Sequence, residues 1–131
     1  MNKHLVAVAL MIAGPVFAAA QAPGVDAQIK EAVAILPEDL RAGATVVTYD
    51  PATGARKVLR QGTNFVECQP RMADGFERCY NKSLAPRRDL EAKLRVEKKT
   101  DEQISEGVAA AIKSGTLPAA PQGMMSYRGF D

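Results

Sequence analysis

Apolar positions fall into distinct regimes along the chain. Leu5 to Ala13 is a continuous apolar run, preceded by Lys3 and His4 and followed by Gly14-Pro15 and then Phe17-Ala18-Ala19-Ala20. These nine residues are too few to cross a hydrocarbon core about 30 Å thick. The order basic, apolar, small reads as a cleaved export leader. Ala18-Ala19-Ala20 supplies the small-x-small site, so cleavage after Ala20 is expected to leave Gln21 as the new N-terminus, with Ala20-Gln21-Ala22 as the next choice.

Beyond a flexible Pro/Gly segment over 21–25, the pattern turns helical. Ile29, Val33 and Leu36 recur at spacings of four and three, which predicts a helix capped by Asp26 and ended by Pro37. Pro37 to Leu40 adds one turn with proline at its first position, and Gly43 stops it.

The middle of the chain reads as strands. Ala44 to Tyr49 is β-branched, and Asp50-Pro51-Ala52-Thr53-Gly54 has the residues of a tight turn, with a returning strand from Arg56 to Arg60. Gln61 to Asn64 is a second turn. Phe65 to Cys68 and Phe76 to Tyr80 are then the third and fourth strands of a four-stranded antiparallel meander.

Helical spacing returns after Pro86. Arg87 to Lys98 pairs acids and bases at i,i+4 (Arg87 with Glu91, Asp89 with Lys93, Glu91 with Arg95), which predicts a solvated helix with Leu90, Leu94 and Val96 left for a core. Thr100 to Gln103 is a capping box opening a helix whose stripe is Ile104, Val108, Ala111 and Ile112, ended by Gly115. Residues 116–131 read as a mostly irregular tail, with Met124 to Tyr127 a candidate edge strand. The predicted fold class is α+β: one domain over 26–115, with one helix before the meander and two after it.

Composition narrows the chemistry. Cleavage leaves 111 of the 131 residues, one ordinary domain, and removal of Lys3 lowers the net charge from +2 to +1. Such a balance gives no reason to expect nucleic acid. His4 is the one histidine and leaves with the leader, which removes imidazole catalysis and imidazole metal ligation. Tryptophan is absent. Cys68 and Cys79 are the two cysteines, and in an oxidising compartment they are expected to pair. The bond closes a 12-residue loop, for which chain entropy gives about 2.8 kcal/mol.

Candidate sites follow from what remains. Arg87, Arg88, Lys93, Arg95, Lys98 and Lys99 form the main basic concentration, with Arg71, Arg78 and Lys82 nearby in sequence; of these, Arg71, Arg78, Arg87, Arg88, Lys93 and Arg95 are the candidate surface for an anionic envelope component or an acidic envelope protein. Asp89, Glu91 and Glu97 interleave with these bases, which favours an ordinary solvated helix. The loop from Gln69 to Arg78 is a second candidate contact surface. Met72, Met124 and Met125 lack the repeat or the histidine of a copper site and read as packing residues. Carboxylate pairs such as Glu38-Asp39 and Asp101-Glu102 do not face one another on a helix. No metal or cofactor is expected.

Arg41 to Asp50, Gln61 to Val66, the cysteine pair, and Tyr80-Asn81-Lys82-Ser83-Leu84 together resemble small bacterial exported proteins of uncharacterised function. The resemblance implies an exported domain framed by these strands and this bond, and it implies no mechanism. The expected function is a non-enzymatic binding or accessory protein of the cell envelope, periplasmic or secreted, without a membrane span after cleavage. The alternative is a small hydrolase using carboxylate, lysine or tyrosine groups.

Overall fold

The structure is a computed structural model that describes residues 22–72 and 74–129. The expected export leader and its cleavage site after Ala20 lie outside the described residues. Among those residues, no helix is long and apolar enough to cross a membrane.

The fold is α+β, with a five-stranded mixed sheet and one disulfide. Helix α1 spans Val25–Val33 and a short turn α2 spans Glu38–Arg41. Gly24, not Asp26, occupies the α1 N-cap, and no side chain caps it. Asp26 lies inside the first turn, where its charge still faces the positive end of the helix. Leu36, predicted on the helix, is buried in the turn that follows.

Strands β1 (Thr45–Tyr49) and β2 (Arg56–Arg60) form the expected antiparallel hairpin. In its turn, the Asp50 carboxylate accepts the N–H groups of Ala52 and Thr53 at 2.9 and 2.8 Å. Strands β3 (Val66–Gln69) and β4 (Glu77–Asn81) form a second antiparallel hairpin. The two hairpins do not join as a meander. The strand order is β2-β1-β3-β4-β5, so β3 pairs with β1, in parallel, and not with β2.

Gly62 permits this route. The turn between β2 and β3 passes across the start of β1 instead of folding back on β2. A Cβ on Gly62 would overlap the Gly43 carbonyl oxygen and the backbone of Ala44 and Thr45. Four hydrogen bonds seal the crossing: Gly62 donates N–H to the Thr45 hydroxyl, Thr63 and Asn64 donate N–H to the Gly43 carbonyl, and the Asn64 amide donates to the Leu40 carbonyl. Asn64 Oδ1 in turn accepts the N–H of Val66 and launches β3.

The candidate edge strand forms, two residues further along than expected, and corrects the predicted count of four. β5 (Ser126–Gly129) comes from the tail and pairs antiparallel with β4 at the sheet edge.

The two faces of the sheet differ in chemistry. On one, α1 packs against Val46, Val66, Cys68 and Cys79, with Ala32, Val33 and Leu36 completing an apolar core. The cysteines occupy directly opposed positions of β3 and β4 and form the disulfide. The Cys79 sulfur lies 3.3 Å from the Ala32 carbonyl oxygen, a packing contact, because a disulfide sulfur carries no hydrogen.

The other face is polar and is covered by helix α3 (Ala85–Val96), which follows a short 3-10 turn at Lys82–Leu84. Helix α4 (Asp101–Lys113) packs against α3 through Ile104 and Val108, and its Thr100–Gln103 capping box forms as predicted. The solvated reading of α3 is corrected. Glu91 and Ala92 are buried, while Leu90, Leu94 and Val96 are only half-buried.

Candidate functional site

Alternation along the strands places Tyr49, Arg56, Glu67, Gln69, Arg78 and Tyr80 on the α3 side of the sheet. Buried polar groups need partners, and these find one another. Arg56 donates through Nη1 to Glu67 and through Nε to Asp89, both at 2.8 Å. Tyr80 donates its hydroxyl to the other Glu67 oxygen at 2.8 Å and accepts the Gln69 amide at the same distance. Tyr49 donates to Asp89 at 2.8 Å, which ties β1 to the helix. Asp89 therefore pairs with Arg56 and Tyr49 and not with Lys93, which is exposed.

This layer tunes its own ionisation. Burial and the hydrogen bond to Asp89 raise the Tyr49 phenol well above its ordinary value, and burial with the charge of Glu67 does the same to Tyr80. Burial opposes the charge on Arg56, but the hydrogen bond and charge of Glu67 outweigh it and hold the guanidinium protonated.

Above this layer lies a shallow pocket of about 230 Å³ lined by Arg78, Arg87, Arg88, Arg95 and Arg128, with Glu91 at its base and Asp101 at its rim. Glu91 accepts from Arg87 at 3.0 Å and Arg88 at 2.8 Å, with Arg95 at 3.9 Å. Arg88 also lies over the Tyr80 ring, 5.0 Å from its centroid, so the polar layer fixes one wall of the pocket. Its Nε is buried and makes no hydrogen bond among the described residues. Arg78 pairs with Asp74 at 2.6 Å. Arg128 stands directly opposite Arg78 in the β4–β5 ladder. Like charges in that arrangement repel, and a bound anion would relieve the repulsion.

Four of the six basic residues singled out in the sequence thus share one pocket: Arg78, Arg87, Arg88 and Arg95. Lys93 does not line it. Arg71 lies elsewhere and pairs with Glu77 at 2.9 Å and Glu31 at 3.7 Å, toward α1. Sequence reasoning missed Arg128, whose place depends on β5 pairing. The period-two run Ser126-Tyr127-Arg128 was the available signal. The loop reading is corrected at its start, since Gln69 and Pro70 are buried and Gln69 belongs to β3.

Of the carboxylate pairs, Glu38 and Asp39 are exposed on α2, and Asp101 borders the pocket without Glu102. Among the described residues, no group of three or more histidine, cysteine or acidic side chains is placed to hold a metal ion.

The Glu91 cluster sets an acid response. Burial alone would raise the Glu91 carboxyl, but Arg88 and Arg87 overcome it and the net shift is below the ordinary 4.5. A depressed folded-state value means a contribution that is complete above the ordinary range and lost as pH falls through the folded value. Thermal melts between neutral pH and about pH 3 should therefore show stability falling on the acid side, with a shallower fall in Glu91→Gln. An unchanged slope in that variant would remove Glu91 from the acid response.

Comparison with protein-family models, with curated proteins and with solved structures gave no match.

Proposed function

We propose that this is an exported binding or accessory protein of the bacterial cell envelope, which uses the arginine pocket to hold a carboxylate or phosphate group presented by an envelope component. The observation that carries the reading is the convergence of Arg78, Arg87, Arg88, Arg95 and Arg128 around one buried carboxylate, on a rigid polar base. Guanidinium groups fixed in this way can each engage a pair of oxygens on such anions. The disulfide buried within the sheet suits an oxidising compartment such as the periplasm. A binding role is favoured over hydrolysis because Glu91, the one buried carboxylate lining the pocket, is held by Arg87 and Arg88, which keep it ionised and occupied, while Asp101 lies exposed at the rim.

The test is titration of the oxidised protein with inorganic pyrophosphate, together with co-sedimentation on phosphatidylglycerol vesicles against phosphatidylcholine controls. Binding to at least one anionic probe is expected, weakening as salt rises. Arg95→Ala and Arg128→Ala should each weaken it by about threefold, the scale of a partly exposed charge contact. The reading fails if neither probe binds at low salt, or if both variants bind as tightly as the parent.

A further inference from the structure

A second cleft, of about 350 Å³, opens beside the arginine pocket between the β1–β2 turn, the segment after β3 and the C-terminal half of α3. That volume is at the small end of the range for small-molecule sites. Its walls are apolar: Pro51 from the turn, Pro70 and Met72 after β3, and Ala92 and Val96 from α3. Gly54 lets the turn approach this closely. Its φ is +69°, and a Cβ there would lie 3.0 Å from the Ala92 carbonyl oxygen.

Cations outnumber anions at the mouth. Arg95 and Lys98 line it, Arg71 lines it too but is paired with Glu77, and Asp50 is the one acidic lining residue, its Oδ1 turned to the N–H groups of Ala52 and Thr53.

The end of α3 supplies an independent observation. Lys98 donates its N–H to the Arg95 carbonyl at 3.0 Å and Lys99 donates to the Leu94 carbonyl at 3.1 Å, which together make a Schellman turn. The left-handed position in such a turn is ordinarily glycine, yet here it is Lys98, with φ 60°. Lys98 is the one non-glycine residue with positive φ among the described residues. A non-glycine residue at such a position is an outlier of the kind that gathers at functional sites, and this one lines the cleft.

We propose that the cleft binds a small amphipathic monoanion, its apolar body lying against Pro51, Pro70, Met72 and Val96 and its carboxylate held at the mouth by Lys98 and Arg95. Arg95 borders both sites, whereas Lys98 lines only this one. Apolar walls with a cationic rim select for a ligand that carries both features, so neither a neutral nor a cationic amphiphile should substitute.

The experiment is calorimetric titration of the oxidised protein with decanoate, decanol and decyltrimethylammonium, repeated on Lys98→Gly and Val96→Asp. Decanoate is expected to bind, decanol about tenfold more weakly, and the cation not at all. Lys98→Gly should melt about 2–5 °C higher, because glycine relieves the left-handed position, while binding decanoate about threefold more weakly. Val96→Asp should abolish binding. The higher melting temperature separates lost recognition from lost folding. Equal binding of all three probes, no binding of decanoate, or an unchanged decanoate affinity in Lys98→Gly would each overturn the proposal.

Discussion

Arg56→Met should destabilise the protein by about 3–5 kcal/mol, the cost of stripping one partner from a buried ion pair. Glu67 is 3% exposed, and Arg56 is the cation on its Oε2. Methionine fills much of the arginine's volume, so the expected loss comes from the stranded carboxylate and not from a void. Asp89 and Tyr49 would lose a donor as well, loosening the hold of α3 on the sheet. Urea denaturation measures the loss, and a double-mutant cycle assigns it. Adding Glu67→Gln to Arg56→Met should recover a large part of the stability, because the uncompensated charge is then gone while Tyr80 keeps an acceptor. A loss below about 1 kcal/mol for Arg56→Met would show that Glu67 does not depend on it.

The second large effect concerns the sulfurs. Replacing both Cys68 and Cys79 with alanine should cost about 3 kcal/mol through the freed unfolded chain, and about 10–20 °C in melting temperature for a domain of this size. Both residues are fully buried and directly opposed in the β3–β4 ladder. That is a large share of the 5–15 kcal/mol typical of a small domain. The native strand pairing should survive below the new midpoint, since the ladder bonds on either side of the pair do not require the bridge. Matching melts with and without reductant, once thiol labelling has verified reduction, would show that the bond adds nothing.

Local chemistry made much of this fold legible. The turn residues Asp50 to Gly54 specified a hairpin, Thr100 and Gln103 specified the start of α4, and the two cysteines met as their spacing allowed. The errors arose where distant segments decide. A turn at Gln61 to Asn64 is readable, but its destination depends on the fit of Gly62 against β1, which no local pattern encodes. Likewise, Glu91 reads as a surface acid by its i,i+4 neighbours. Its burial follows from α3 lying on a sheet face rich in arginine and tyrosine. The arginine pocket was partly visible as a basic concentration, because Arg87, Arg88 and Arg95 share one helix. Arg128 was hidden because its membership depends on the pairing of the last strand with β4.

The parallel seam between β1 and β3 has one more consequence. Thr45 aligns with Glu67 and Val46 with Cys68, so an apolar layer and a charged layer meet their respective faces in one register. A slip of a single residue would turn Glu67 toward Ala32 and Leu36 and carry the disulfide into the arginine and tyrosine layer, inverting both at once. Two unlike surfaces of one ribbon thus act as a double lock on alignment, both forbidding the same misplacement.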